Sequence, residues 1–210
     1  MNTLDRLYAE DSDPKRFARG YLTHLAGLLE GLDTSDIAEF VRILIAARDR
    51  GNRIFFVGNG GSAATASHFA NDIGVGTRSP TRPFRAVSLT DNAAVVTAIA
   101  NDDGYDMVFV LQLETHMQRD DVVVAISASG NSPNVVKAIE FANANGAVTV
   151  GLTGFDGGRL KEVCRHAVHV PTAPGEYGPV EDAHMVLDHL IGSYLIRLVR
   201  GEIESGGDRS

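Results

Sequence analysis

Apolar positions change rhythm near residue 50. Before it, two stretches keep helical spacing. Residues 14–29 carry Phe17, Tyr21, Leu22, Leu25, Leu28 and Leu29, and residues 35–49 carry Ile37, Phe40, Val41, Ile43, Leu44 and Ile45, with Gly31-Leu32-Asp33 between them. After it, short β-branched runs alternate with helical stretches. The runs are 53–57 (RIFFV), 84–89 (FRAVSL), 122–126 (VVVAI), 148–152 (VTVGL) and 167–170 (AVHV). Continuous apolar runs bounded by Gly, Ser, Asn or Pro read as strands buried on both faces, hence a mostly parallel sheet. Helices are expected at 63–73, 92–101, 107–117, 133–144 and 158–163, and a last long helix at 180–199. The alternation predicts an α/β fold: three layers, doubly wound around a mostly parallel five-stranded sheet, with N-terminal helices and a long C-terminal helix. Residues 1–50 form a helical segment that packs on the domain or on a partner subunit. Residues 51–203 form the α/β domain and 204–210 a frayed tail.

Composition narrows the function. A chain of 210 residues with 44% hydrophobic positions is long enough for one well-buried core. A net charge of −8 argues against a broad nucleic-acid surface, which needs clustered Lys and Arg. No apolar run approaches the roughly 20 residues of a membrane span, and the charged N-terminus has no apolar core of a signal peptide. The single cysteine, Cys164, fits a reducing cytoplasm and reads as a small buried hydrophobe.

Two of the strand-to-helix turns carry candidate chemistry. The first is Gly58-Asn59-Gly60-Gly61-Ser62-Ala63. Glycines let a backbone approach a ligand closely, and the helix that follows offers unpaired N–H groups to an anion. Its Gly-x-Gly-x-x-Ala spacing fits a dinucleotide fingerprint loosely, but the acidic partner about 20 residues on is not well placed. No Gly-Lys-Ser/Thr follows, which excludes a Walker A loop. The second turn, Ser127-Ala128-Ser129-Gly130-Asn131-Ser132-Pro133, offers three hydroxyls, with Ser132 suited to cap a helix and Pro133 to begin it. Two such loops at the C-terminal ends of parallel strands favour a ligand crevice for an anionic small molecule.

Titratable groups gather in two places. His68 and Asp72 are four apart on one helix face. On the last helix, Glu181, His184 and Asp188 share one stripe, and Asp182 and His189 another. His116, His166 and His169 show no partner pattern and read as surface or turn groups.

The stretches VGNGGSAATASHFA, AISASGNSPNVVKAIEFA and EDAHMVLDHLI resemble the sugar isomerase (SIS) family. More narrowly, the segments Asn101 to Asp106 and Leu152 to Gly158 resemble the phosphoheptose isomerase group, and the similarity runs from the first helices to about Arg200. The resemblance implies a phosphate cradle of Ser127, Ser129 and Ser132, sugar contacts from Asn59, Gly60 and Ser62, and a homotetramer with sites at subunit interfaces. It also implies that Asp91, Asn101 and Asp102 orient sugar hydroxyls, although Asp91 equally suits a helix cap. In that group the positions of His68, Asp72, Glu181 and His189 commonly hold zinc, and the acidic residue and last histidine are the proton-transfer pair.

Two of those four positions differ here. Asp72 stands where the group has Glu, and Glu181 where it has Gln; the group's acid just before that Gln is also missing, with Gly178 in its place and Glu176 nearest. All four side chains still suit zinc. Glu181 and His189 are eight residues apart, about 12 Å along an ideal helix. They share an ion only if Glu181 stands at or before the helix start, which Pro179 allows. The expected function is an aldose–ketose isomerase acting on a sugar phosphate, sedoheptulose 7-phosphate above others, through an enediol. Asp72 is the expected base with Glu181 as substitute, and His189 the acid. The alternatives are a SIS module that binds phosphosugar or protein without turnover, and an isomerase of another ketose phosphate.

Overall fold

The computed structural model describes residues 1–207. Three helices come first: α1 (Thr3–Glu10), α2 (Pro14–Glu30) and α3 (Thr34–Arg50). The α/β part follows as β1 (Arg53–Gly58), α4 (Gly61–Asn71), β2 (Arg85–Ser88), α5 (Ala93–Asp102), α6 (Val110–His116), β3 (Val122–Ser127), α7 (Pro133–Ala144), β4 (Val148–Thr153), α8 (Gly158–Val163), β5 (His166–His169) and α9 (Tyr177–Gly207). The five strands lie in the order β2-β1-β3-β4-β5, and every pairing is parallel.

Strand alternation divides the core into two layers. Ile54 and Phe56 of β1 and Val122, Val124 and Ile126 of β3 face a layer built from Phe40 and Leu44 of α3, Phe69 of α4 and Leu187, Ile191 and Leu195 of α9. Phe55, Val57, Val123 and Ala125 face the other, with Leu113 of α6, Val135, Ala138 and Ile139 of α7, and Leu160 of α8. Each fully buried Phe or Leu contributes about 1.5–3 kcal/mol over its exposed state. The segment 1–50 is thus tied to the domain through α3.

The structure corrects several boundaries. The N-terminal stretch holds an extra helix, α1, closed by a capping box in which Asn2 and Asp5 each accept from the other's backbone. The helix expected at 107–117 begins at Val110, after a short 3₁₀ turn at Tyr105–Met107. The last helix begins at Tyr177 and continues to Gly207, so the expected tail from 204 is helical to that point; 208–210 lie outside the described residues. Among the described residues no helix is long and apolar enough to cross a membrane.

α1 and α2 are fastened to the lead-in of α9. The buried Glu176 carboxylate accepts from the Thr3 backbone at 2.6 Å and meets His24 Nε2 at 2.9 Å. Burial would raise this carboxyl, but those bonds outweigh it and hold it below the usual range. The Tyr21 hydroxyl donates to Asp182 at 2.5 Å.

Candidate active site

Strand order turns back between β1 and β3, which is where open α/β sheets form their ligand crevice. The register sets Gly58 beside Ile126, so the two Gly/Ser loops leave the sheet side by side. Neither following helix has a side-chain cap: Gly60 precedes α4, and Ser132 occupies the N-cap of α7 without bonding its amides. The expected capping by Ser132 is therefore absent, and its hydroxyl stands 3.5 Å from that of Ser127. Both helix ends keep their attraction for an anion. Gly130 closes the second loop with φ +65°, donating its N–H to Ser127 Oγ at 3.1 Å.

Asn59, Ser62, Ser127, Ser129 and Ser132 line one cleft between the loops, together with Tyr177 and Glu181 of α9. Its volume is about 150 Å³, well below the roughly 300 Å³ at which pockets for drug-sized ligands begin. Within one chain it has room for a phosphate-sized group. Glu181 reaches so far over the first loop that a Cβ on Gly61 would fall on its carboxylate. Burial and then the charge of Asp182 push the Glu181 carboxyl above its ordinary value.

A second group lies farther along α4. His68, Asp72, Asp188 and His189 each offer a ligand atom, all within 4.8 Å of one another. Asp72 opens a single π-helical turn, Asp72–Gly76, a rare geometry that often marks functional sites. The Asp72 side chain packs against α9 at Gly192, one turn beyond Asp188, where a Cβ would be in ordinary contact at 3.6 Å. Asp188 is fully buried, and neither carboxylate oxygen has a hydrogen-bond partner. His68 Nδ1 stands 2.9 Å from Asp188 Oδ2 without hydrogen-bond alignment, and 2.9 Å from Met185 Sδ. The His68 and His189 rings meet edge to face at 5.0 Å. Burial first, then the charge of Asp72, push Asp188 up to about 7 against the opposing pull of His189.

A SIS-domain model matches residues 20–154. The phosphoheptose isomerase of Geobacter metallireducens is 42% identical over 158 residues, covering 75% of this chain and 82% of that protein. That of Rhodospirillum rubrum is 39% identical over 155 residues, covering 74% and 81%. The solved phosphoheptose isomerase of Neisseria gonorrhoeae superposes with a TM-score of 0.77 at 28% identity, covering 86% of this chain and 97% of that one. The chain belongs to the phosphoheptose isomerase family.

Against the family pattern, three of the four expected metal positions come together: His68, Asp72 and His189. Glu181 does not join them. α9 starts four residues before it, so Glu181 and His189 lie on one continuous helix, about 12 Å apart along its axis. The place beside His189 is taken by Asp188, which sequence reasoning had put on the stripe of Glu181 and His184.

Other expected residues settle variously. Asp91 caps no helix; Asn92 caps α5 by accepting from Val95, while Asp91 accepts from the hydroxyls of Ser67 and Thr90. Asn101 donates to Asp102 at 2.7 Å, and both stand exposed at the end of α5, apart from the cleft lining. Asn59 lines the cleft, but its amide is engaged by Asn134, a residue the sequence reading passed over, and by the Tyr105 hydroxyl. His166 and His169 are half-buried and bonded, to the Asp36 carbonyl at 2.8 Å and the Thr153 hydroxyl at 3.0 Å, because the last strand includes them. The Cys164 thiol is pushed up to about 12 by burial, which keeps it inert.

Proposed function

We propose that this chain interconverts a ketose phosphate and an aldose phosphate, sedoheptulose 7-phosphate and a heptose 7-phosphate above others, by moving a proton between C1 and C2 through an enediol. The observation that carries the reading is the junction of two uncapped Gly/Ser loops around one small polar cleft, with titratable groups beyond it. Ser127, Ser129 and Ser132, with the two helix ends, take the phosphate. Asn59, Gly60 and Ser62 face the adjoining sugar, and Asp91, Asn101 and Asp102 orient its hydroxyls in the assembled enzyme. Remote phosphate binding holds the reacting end in register.

His68 lies seven residues along α4 from Gly61, about 10 Å of helix rise. An extended heptose phosphate anchored in the cleft can therefore direct its carbonyl end toward the His/Asp group. Asp72 is the proposed base for the carbon acid, with Glu181 the second carboxylate able to serve. His189, exposed at the rim, protonates and deprotonates the oxygens. His68, Asp72 and His189, with a carboxylate of α9, would hold a divalent metal ion. The unpartnered oxygens of Asp188 fit a cation, and two imidazoles with two carboxylates suit zinc. Such an ion, when bound, polarises a carbonyl oxygen.

The cleft's small volume leaves the sugar to be covered by another surface. A homotetramer with sites shared between copies supplies it. On α9, Val186, Leu190 and Tyr194 are exposed at helical spacing, beside an apolar groove with Ile37, Val41 and Ile45 of α3. A cytoplasmic setting accords with the lone, inert thiol.

Proton exchange at C1 of sedoheptulose 7-phosphate in D₂O, followed by NMR, tests the reading. Wild type exchanges, His189→Ala loses exchange, and comparison of Asp72→Asn with Glu181→Gln identifies the base. Phosphate-dependent thermal stabilisation without exchange on any ketose phosphate would leave a binding module instead.

A further inference from the structure

We infer that Asp188, and not Glu181, completes the metal-binding donor set with His68, Asp72 and His189, and that Glu181 serves the sugar side of the cleft. The metal half stands on side-chain placement alone; only the role given to Glu181 rests on the isomerase reading.

Three observations carry it. First, Asp188 is a fully buried carboxylate whose two oxygens lack any donor, a costly arrangement unless a cation or proton neutralises it. It faces two imidazoles and a second carboxylate, with every ligand atom within 4.8 Å of the others. Second, Glu181 is held elsewhere. Its carboxylate lies against Gly61 at the N-terminal end of α4, where the helix favours an anion, and it lines the serine cleft. Third, α9 is unbroken from Tyr177, so Glu181 stands inside the helix and, within one chain, about 12 Å along its axis from His189. His68 and Asp72 are partly exposed and His189 exposed, which leaves an ion a way in.

The exchange has a chemical consequence. A carboxylamide ligand, as in the group this chain resembles, is neutral; an aspartate adds a negative charge to the donor set and strengthens its hold on a divalent cation. It also frees a carboxylate, Glu181, for the substrate.

The test uses the full-length protein stripped of metal and titrated with Zn²⁺ against a chromophoric chelator, then with Co²⁺ followed by visible absorption. Asp188→Asn is expected to weaken Zn²⁺ about 10- to 100-fold or more, the range for loss of a metal-site partner, while Glu181→Gln stays within about threefold. Asp188→Cys and Glu181→Cys provide a readout that survives if the Asn variant folds poorly. A cysteine that ligates Co²⁺ gives a thiolate-to-metal charge-transfer band in the near ultraviolet, and only the Cys at 188 is expected to show it. The band at 181 and not 188, or a Zn²⁺ affinity that falls with Glu181→Gln and not with Asp188→Asn, would overturn the assignment. So would a wild-type protein that binds neither ion. A band at 188 in a protein that exchanges no C1 proton would uphold the metal assignment and sink the isomerase reading separately.

Discussion

Asn59 and Asn134 bind each other reciprocally: Asn59 Nδ2 donates to Asn134 Oδ1 at 2.8 Å, and Asn134 Nδ2 returns a bond to Asn59 Oδ1 at 2.9 Å. One residue belongs to the first Gly/Ser loop and the other to the first turn of α7, so the pair sets the spacing of the two loops. Tyr105 adds a third bond to Asn59 at 3.0 Å, and Asn134 Oδ1 also accepts from the Val135 backbone. Asn134 is buried while Asn59 is half-buried at the cleft.

Replacing Asn134 by Ala leaves Asn59 Nδ2 without its acceptor and Asn59 Oδ1 with only the Tyr105 hydroxyl, at a cost of about 1 kcal/mol. Guanidinium denaturation is expected to show that loss, and KM for the sugar phosphate should rise as the loops lose their fixed distance. Asn134→Asp keeps the acceptor but loses the donor and adds a buried charge, so it should destabilise more than Ala. A variant with unchanged KM and stability would mean that the backbone alone holds the loops.

Two glycines separate function from folding. A Cβ on Gly61 meets the far end of the Glu181 side chain, which can swing aside. Gly61→Ala should keep its melting temperature within a few degrees yet slow C1 exchange by about 100-fold, the loss expected when a group that positions the substrate moves by about 1 Å. Gly130 has φ +65°, and a Cβ there runs into the Gly157 carbonyl, which is backbone and cannot rotate away. Gly130→Ala should therefore destabilise the whole domain, by about 1–3 kcal/mol from the backbone conformation alone. Differential scanning calorimetry beside the exchange assay separates the two outcomes.

The sheet and both loops were legible because their signals are local: β-branched runs such as VVVAI, then glycines and serines where the chain must turn. Asp188 was not. On α9 it neighbours the buried stripe of Ala183, Leu187, Ile191 and Leu195, and only the elements packed opposite decide whether such a carboxylate faces water or the interior. The π turn at Asp72 sets that carboxylate beside Asp188, and it has no sequence signal that points to α9. The Glu181 discrepancy has a simpler origin. Pro179 suits a helix start, but a proline is equally tolerated within the first turn, and here the helix begins two residues before it. Asn134 was missed because its partner lies 75 residues away.

Val186, Leu190 and Tyr194 give the assembly prediction. Their exposures of 38%, 46% and 52% lie along a stripe of α9 that flanks its buried one. Leu190→Asp places a charge in the groove against Ile37, Val41 and Ile45. Light scattering is expected to show wild type as a tetramer and this variant as a smaller species, with far-ultraviolet circular dichroism unchanged. Activity should fall with assembly if neighbouring copies complete the cleft. A monomeric wild type with full activity would remove the shared-site reading.

His184 supplies a stability prediction with a definite sign. The side chain is fully buried; Nε2–H donates to the Thr153 carbonyl at 3.4 Å, and Nδ1 has no partner. Burial pushes its pKa down to about 4, so the folded protein holds it neutral. An unfolded chain takes up that proton near pH 6.5. The unfolded state therefore binds more protons between those values. The stability contribution is fully present above about pH 6.5 and is lost as pH falls through about 4, amounting to about 3 kcal/mol over the window. Other groups titrate there too, Asp188 among them with the opposite sign, so the useful quantity is the difference between wild type and His184→Leu. That difference should shift in favour of the variant as pH falls from 7 to 4, read from denaturation midpoints in the metal-free protein. Parallel pH profiles for the two proteins would show that His184 takes up its proton equally in both states.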